Sequence, residues 1–176
     1  MKFVQTNLKG VFIIGLEKKE DSRGFFARIF CQKEFREHGL IFSIAQCSLS
    51  LNKNKGIIRG IHYDKKPHEQ AKLVICIAGA IYDVVVDLRS NSATFKKWFA
   101  VKINGKNPKA IYVPKGCAHG YQTLTGDVKI FYQMSDFYFP EYYSGIRWDD
   151  PAFKIKWPLS PTLISKQDLE WQDFND

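Results

Sequence analysis

The sequence predicts an all-β protein, a sandwich or barrel of short antiparallel strands. Three observations carry this expectation. Aromatic residues make up 15% of the 176 residues, with fourteen Phe, eight Tyr and four Trp among abundant Val and Ile. Such side chains suit a pleated, half-buried surface better than a helix. Short β-type runs alternate with turn signals at the spacing of a sandwich or barrel, and only one convincing helix interrupts them.

The elements follow in chain order. A first strand is expected at residues 11–16 and a helix at 32–38, stopped by Gly39. Further strands are expected at 41–46, 56–62, Lys72–Ala78, Ala80–Asp87, 97–103, 110–113, 120–124 and 128–137. Turns fall at Ala78-Gly79, Asn104-Gly105 and Thr125-Gly126. The C-terminal segment reads as irregular, rich in Pro and aromatics, with a short helix near 167–171. Nothing resembling a repeat or linker divides the chain, and its length fits one domain, 1–176, around a single core. A jelly-roll accommodates many short strands and one early helix, but the pattern leaves other all-β architectures open.

Within Ala80–Asp87, alternation puts Ile81, Asp83, Val85 and Asp87 on one face and Ala80, Tyr82, Val84 and Val86 on the other. The two carboxylates fit a strand lining a polar pocket, and they fit a solvated face equally well.

Composition excludes several classes. No apolar run approaches the ~20 residues of a membrane span. Residues 1–16 are interrupted by Lys9 and Gly10 and make a poor signal peptide. Cys31, Cys47, Cys76 and Cys117 form no C-x-x-C pair and no zinc spacing, so they read as reduced thiols of a cytoplasmic protein. The net charge of +8 suits a polyanionic partner, but the lysines are scattered and no nucleic-acid motif accompanies them. A smaller polyanion such as a nucleotide diphosphate would also be attracted, but a solvated lysine-rich surface explains most of this charge.

Arg59-Gly60-Ile61-His62-Tyr63 is followed by Gln70-Ala71-Lys72-Leu73-Val74, with Lys72 ten residues after the histidine. A histidine between cations, on neighbouring strands, can take a proton while the cations hold an anion. These segments resemble the dTDP-4-dehydrorhamnose 3,5-epimerase family, whose pattern reads R-G-[LM]-H-Y-Q and then Q-x-K-L-V. The resemblance extends from about Leu8 to Asp168 and includes Asp149-Asp150-Pro151 and Ile155-x-Trp157-Pro158. It implies a cupin jelly-roll, a cofactor-free epimerase acting on a nucleotide-linked 4-keto sugar (dTDP- or GDP-linked), and a homodimer whose sites are completed across the interface.

Roles follow from the resemblance, residue by residue. His62 matches the base that removes protons at C3 and C5, and Lys72 the lysine near the ketone oxygen. Asp168, in Ile164-Ser165-Lys166-Gln167-Asp168, matches the aspartate that orients the base. About a hundred residues separate it from His62, so residue spacing alone would not pair them. Asp83 is a second candidate for orienting the base, from its strand position. Tyr132 matches the acid that returns a proton on the opposite face, and Tyr138 a second tyrosine at the sugar nucleotide. Arg59, with Arg23 and Phe26 from Asp21-x-Arg23-Gly24-Phe25-Phe26, matches contacts to the diphosphate, sugar or nucleotide. Guanidinium forks suit phosphate oxygens. Gln46 matches a nucleotide contact, and His119, in Pro114-x-Gly116-x-Ala118-His119-Gly120, a binding group in the pocket.

His119 also lies in a segment like the second cupin metal motif. The first motif would need histidine where Asp64 stands, so no metal is expected. Three departures from the family pattern are Asp64 for Gln, Ser48 for Asn and Arg28 for an acidic residue. They are expected where the nucleotide or sugar is read, and point to a substrate other than dTDP-4-keto-6-deoxyglucose, such as a GDP-4-keto-heptose. Two other functions compete: a 3,4-ketoisomerase of the same substrate class, and a cupin that binds sugar nucleotides without turning them over.

Overall fold

Residues 1–40 and 42–175 are described by the structure, a computed structural model. Among them the chain order opens with β1 (Lys2–Gln5), β2 (Phe12–Gly15), the hairpin β3 (Lys18–Asp21) and β4 (Gly24–Ala27), and helix α1 (Gln32–Glu37). Then come β5 (Gln46–Asn52), β6 (Ile58–Asp64), β7 (Lys72–Ala78), β8 (Ala80–Asp87) and β9 (Trp98–Asn104). The chain closes with β10 (Lys109–Val113), β11 (Cys117–Thr123), β12 (Val128–Met134), β13 (Tyr143–Gly145) and α2 (Lys166–Glu170).

Two antiparallel sheets face each other, one in the order β1-β2-β10-β7-β12-β5 and the other β13-β6-β11-β8-β9. From β5 to β8 and again from β9 to β12 the chain crosses between sheets at each step, which is the winding of a jelly-roll.

Alternation along the strands divides the space between the sheets. Val74 and Cys76 of β7, Ile81 and Val85 of β8, Ile111 and Val113 of β10, and Val128 and Ile130 of β12 fill one end without solvent contact. Each Val or Ile among them contributes roughly 1.5–3 kcal/mol on burial. Toward the other end the same rows turn polar, at Lys72 before Val74 and Tyr132 after Ile130, so the barrel is packed at one end and open at the other.

The outer faces are covered differently. Phe35 of α1, with Leu40 and Phe42, packs on Leu73, Ile75, Ala110 and Tyr112 of the larger sheet. The C-terminal segment lays Ile146, Phe153, Trp157 and Phe174 against Ile61, Val84, Val86 and Ala118 of the smaller one. That is why a stretch with little regular structure is so aromatic.

Most expected elements are present within one to three residues of their expected ends. The strand expected at 41–46 is displaced: Ile41 lies outside the described residues, 42–45 are irregular, and β5 begins at Gln46. β5 is an edge strand whose inward residues are Gln46, Ser48 and Ser50, so its alternation is inverted, polar inside and apolar outside. β1, the β3–β4 hairpin and β13 were not expected; each is four residues or fewer. Asp83 and Asp87 are both fully buried, which removes the solvated-face reading. No helix among the described residues is long and apolar enough to cross a membrane.

Candidate active site

The open end of the barrel is a cavity of about 360 Å³ with walls from both sheets. From the larger sheet come Lys72, Tyr132 and the inward row of β5; from the smaller come Arg59, His62 and Asp64 of β6 and His119 and Tyr121 of β11. Tyr138 and Tyr143 close the side after β12.

A regular strand could not supply both Arg59 and His62, since three residues apart they point to opposite faces. β6 and β11 pair His62 with His119 but Arg59 with Tyr121, so β6 carries one extra residue. This bulge restores both side chains to the pocket. Gly60 sits in it at φ +118°, and a Cβ there would lie 2.6 Å from Gly120 Cα and 2.9 Å from the His119 carbonyl oxygen. Only glycine meets both demands.

The bulge is tied to the catalytic candidate by one carboxylate. Asp168 Oδ1 lies 2.6 Å from His62 Nε2, while Asp168 Oδ2 accepts from the Gly60 N–H at 3.2 Å. Trp171 Nε1 donates to Oδ1 at 3.3 Å, and Ser165 caps α2 by accepting from the Asp168 N–H at 3.1 Å. Burial pushes the Asp168 carboxyl up. The hydrogen bond and charge of His62, then Gly60 and Trp171, outweigh it, so the carboxyl lies below its ordinary value and stays ionised. With Nε2–H donating to Asp168, a neutral His62 carries its lone pair on Nδ1.

Asp83 does not reach His62. Its Oδ2 is 2.9 Å from His119 Nε2, deep in the wall, where burial raises its carboxyl despite the opposing effect of His119. As an orienting group for His62 it is corrected: Asp83 serves His119, because β11 lies between β8 and β6.

Lys72 Nζ is 3.5 Å from Asp64 Oδ2, and both side chains are largely buried. Burial lowers the Lys72 ammonium below its ordinary value, and the charge and hydrogen bond of Asp64 oppose that shift. Tyr132 moves the other way. Burial, reinforced by Tyr121 and Asp83, holds its phenol well above the ordinary range, so it enters the reaction protonated at neutral pH. Arg59 Nε donates to Asn52 Oδ1 at 2.7 Å, and Tyr121 joins the same oxygen at 3.3 Å. Gln46 Oε1 accepts from the Tyr138 N–H at 2.6 Å, holding that loop over the cavity.

Nine of the eleven expected site residues therefore meet in or directly behind one cavity. Arg23 and Phe26 do not. They lie on the separate β3–β4 hairpin, 88% and 72% exposed, with Arg23 Nη2 donating to Asp21 Oδ2 at 2.7 Å. Of the three departures, Ser48 and Asp64 line the cavity, while Arg28 pairs with Glu34 at 3.2 Å. Sequence reasoning missed Tyr143, whose ring stands 5.0 Å from His62 and 5.5 Å from Tyr138. Burial raises its phenol as well. Its strand is three residues long, with no pattern to mark it.

Comparison with known proteins points the same way. The sequence model described as dTDP-4-dehydrorhamnose 3,5-epimerase matches residues 5–176. The enzyme of that name from Methanothermobacter thermautotrophicus is 38% identical, over 99% of this chain and 95% of its own. A dTDP-4-dehydrorhamnose 3-epimerase of Streptomyces niveus is 34% identical, over 97% and 82%. The structure of the Bacillus anthracis 3,5-epimerase, with TDP and PPi bound, superposes with a TM-score of 0.95 at 34% identity, covering 98% of this chain and 99% of that one. The chain belongs to the dTDP-4-dehydrorhamnose 3,5-epimerase family of cupin-fold nucleotide-sugar epimerases.

Proposed function

We propose that the protein inverts C3, C5 or both of a dTDP-linked 4-keto-6-deoxy sugar, with His62 as base and Tyr132 as acid. The observation that carries this reading is their placement. His62, braced by Asp168, projects from the smaller sheet, and Tyr132 projects from the larger, so a sugar ring between them meets the two groups from opposite sides.

The chemistry needs little more. A proton on C3 or C5 is acidic because the carbanion delocalises onto the C4 ketone as an enolate. His62 Nδ1 takes that proton, and the imidazolium formed is stabilised by ionised Asp168. The Lys72 ammonium faces the enolate oxygen, where a charge fixed in a dry pocket acts most strongly. Tyr132 delivers its proton to the opposite face of the carbon, and exchange with solvent resets both residues. A phenol is weakly acidic, but an enolate carbon is basic enough to accept from it.

Tyr132→Phe separates the two half-reactions. Deuterium from D₂O is expected to enter C3 or C5 at near the normal rate, while epimerised product falls about 10²–10³-fold. Product formation within threefold of wild type would remove Tyr132 from the acid role.

A dimer completes the reading. Leu49, Leu51 and Ile77 leave the outer face of the larger sheet apolar and exposed, as Phe25 and Phe26 are on the hairpin, and a second copy would cover these side chains. Arg23 and Phe26 would then reach the partner's cavity and grip the diphosphate and base. Arg23→Ala and His62→Asn, each inactive at limiting substrate, should regain up to about a quarter of wild-type activity when mixed, since half the dimers carry one intact site. A monomer by light scattering would contradict this. The four free thiols suit the reducing cytoplasm, where we place the enzyme.

Ser48 and Asp64 in the cavity wall favour a second reading, in which the chemistry is kept and the sugar or nucleotide differs, GDP-linked sugars included.

A further inference from the structure

Asp64 stands where the family pattern has glutamine, and its carboxylate lies against Lys72, the cation assigned to the ketone oxygen. His62 and Asp64, two residues apart on β6, share the inward face, and Lys72 opens β7 in the facing sheet. The 3.5 Å pair therefore bridges the two sheets at the cavity wall. Its side chains are 14% and 4% exposed, so neither charge is compensated by water.

We propose that Asp64 is a positioning residue for epimerisation: it keeps the Lys72 side chain cationic and fixed at the place where the substrate's ketone oxygen becomes an enolate. The inference rests on the function proposed above.

The surroundings of Lys72 leave this task to Asp64. From β6 the cavity receives Arg59 and His62, from β11 His119 and Tyr121, from β12 Tyr132, and from the segment after it Tyr138 and Tyr143. None of these is an anion at neutral pH. On β10 the neighbour of Lys72 is Val113, and on β12 it is Met134. Asp168 is engaged by His62 and Asp83 by His119. Asp64 is thus the single carboxylate lining this cavity among the described residues.

A glutamine in its place could accept a hydrogen bond from an ammonium but could not balance its charge. Burial already draws Lys72 below its ordinary value with Asp64 present, so loss of the carboxylate must draw it further down. Tyr132 is held well above its ordinary value. The alkaline limb of activity is therefore expected to follow Lys72, the cation that Asp64 holds at 3.5 Å.

The test is Asp64→Asn, which keeps shape and removes charge, with Asp64→Gln as a second variant should the first fail to fold. Lys72 reactivity toward acetic anhydride, read by mass spectrometry across pH in the free enzyme, reports its titration without reference to turnover. Both variants are expected to move that midpoint down by at least about one pH unit, as expected for losing an opposite charge within 4–6 Å. The alkaline limb of the kcat profile should move by the same amount, leaving the acid limb in place and dTDP affinity within about threefold.

An unmoved Lys72 midpoint would overturn the proposal and leave the epimerase reading standing. A midpoint that falls while the alkaline limb stays would also overturn it, because the charge would then play no part in the reaction. Absence of turnover by the wild-type enzyme on any 4-keto sugar nucleotide would instead count against the proposed function.

Discussion

Replacing His62 by Asn is expected to lower kcat by about 10²–10⁴-fold while dTDP binds within threefold of wild type. The amide cannot take a proton from carbon, yet it can still occupy the place of the imidazole. The groups offered to a nucleotide, Arg59, Gln46 and Tyr138, are held by partners other than His62: Asn52 holds Arg59, and Gln46 and the Tyr138 backbone hold each other. Binding and turnover should therefore separate. Calorimetry with dTDP and a coupled turnover assay check the two halves. Turnover within tenfold of wild type would require another base, and His119, which Asp83 holds at 2.9 Å, is the other cavity histidine that would have to supply it.

Gly60→Ala is expected to reach the same site through the backbone. The residue holds φ +118°, where an L side chain is strained by about 1–3 kcal/mol. The added methyl would also stand 2.6 Å from Gly120 Cα and 2.9 Å from the His119 carbonyl oxygen, both main-chain atoms that cannot swing away. Together these effects should cost about 3 kcal/mol or more of stability, which lowers Tm by about 6–12 °C for a chain of this size. Any variant that folds must move β6 away from β11, and that displaces Arg59 and His62 together. Activity should then fall more than tenfold even well below Tm. Calorimetric melting, with activity measured at 20 °C below the lowered Tm, checks both effects. A melt unchanged within 2 °C would mean that the two strands do not need their close approach.

The contrast between these two positions marks what could be read from the residues. The β7 and β8 strands, with continuous apolar rows and Gly79 between them, were legible by period. So was the identity of most of the cavity residues, because the motifs around His62 and Lys72 are specific. β5 was not legible as a strand, because its inward side is the cavity wall. Ser48 and Ser50 read as loop, and Gln46 as the end of an earlier strand, until the hole they face is known. The bulge at Gly60 was equally hidden, since it exists only in the register between β6 and β11. Asp83 shows the limit of single-strand reasoning. Alternation grouped it with Ile81, Val85 and Asp87 but left open whether that face was a pocket wall or solvated, and which histidine it meets depends on strand order, where β11 intervenes before β6. Asp64 is the reverse case: its departure from the family pattern was visible, while its partner was not.

The central claim is proton exchange at carbon beside a ketone, carried out from two sides of one ring. The direct measurement is NMR of dTDP- and GDP-linked 4-keto-6-deoxy sugars, and of a GDP-4-keto-heptose, incubated in D₂O with the wild-type protein and with His62→Asn. Wild type is predicted to place deuterium at C3, C5 or both with inverted ring couplings, fastest on a dTDP-linked sugar, and His62→Asn to place almost none. Tight binding of these nucleotide sugars by wild type with no deuterium entering any of them would contradict the account and make the protein a binding module.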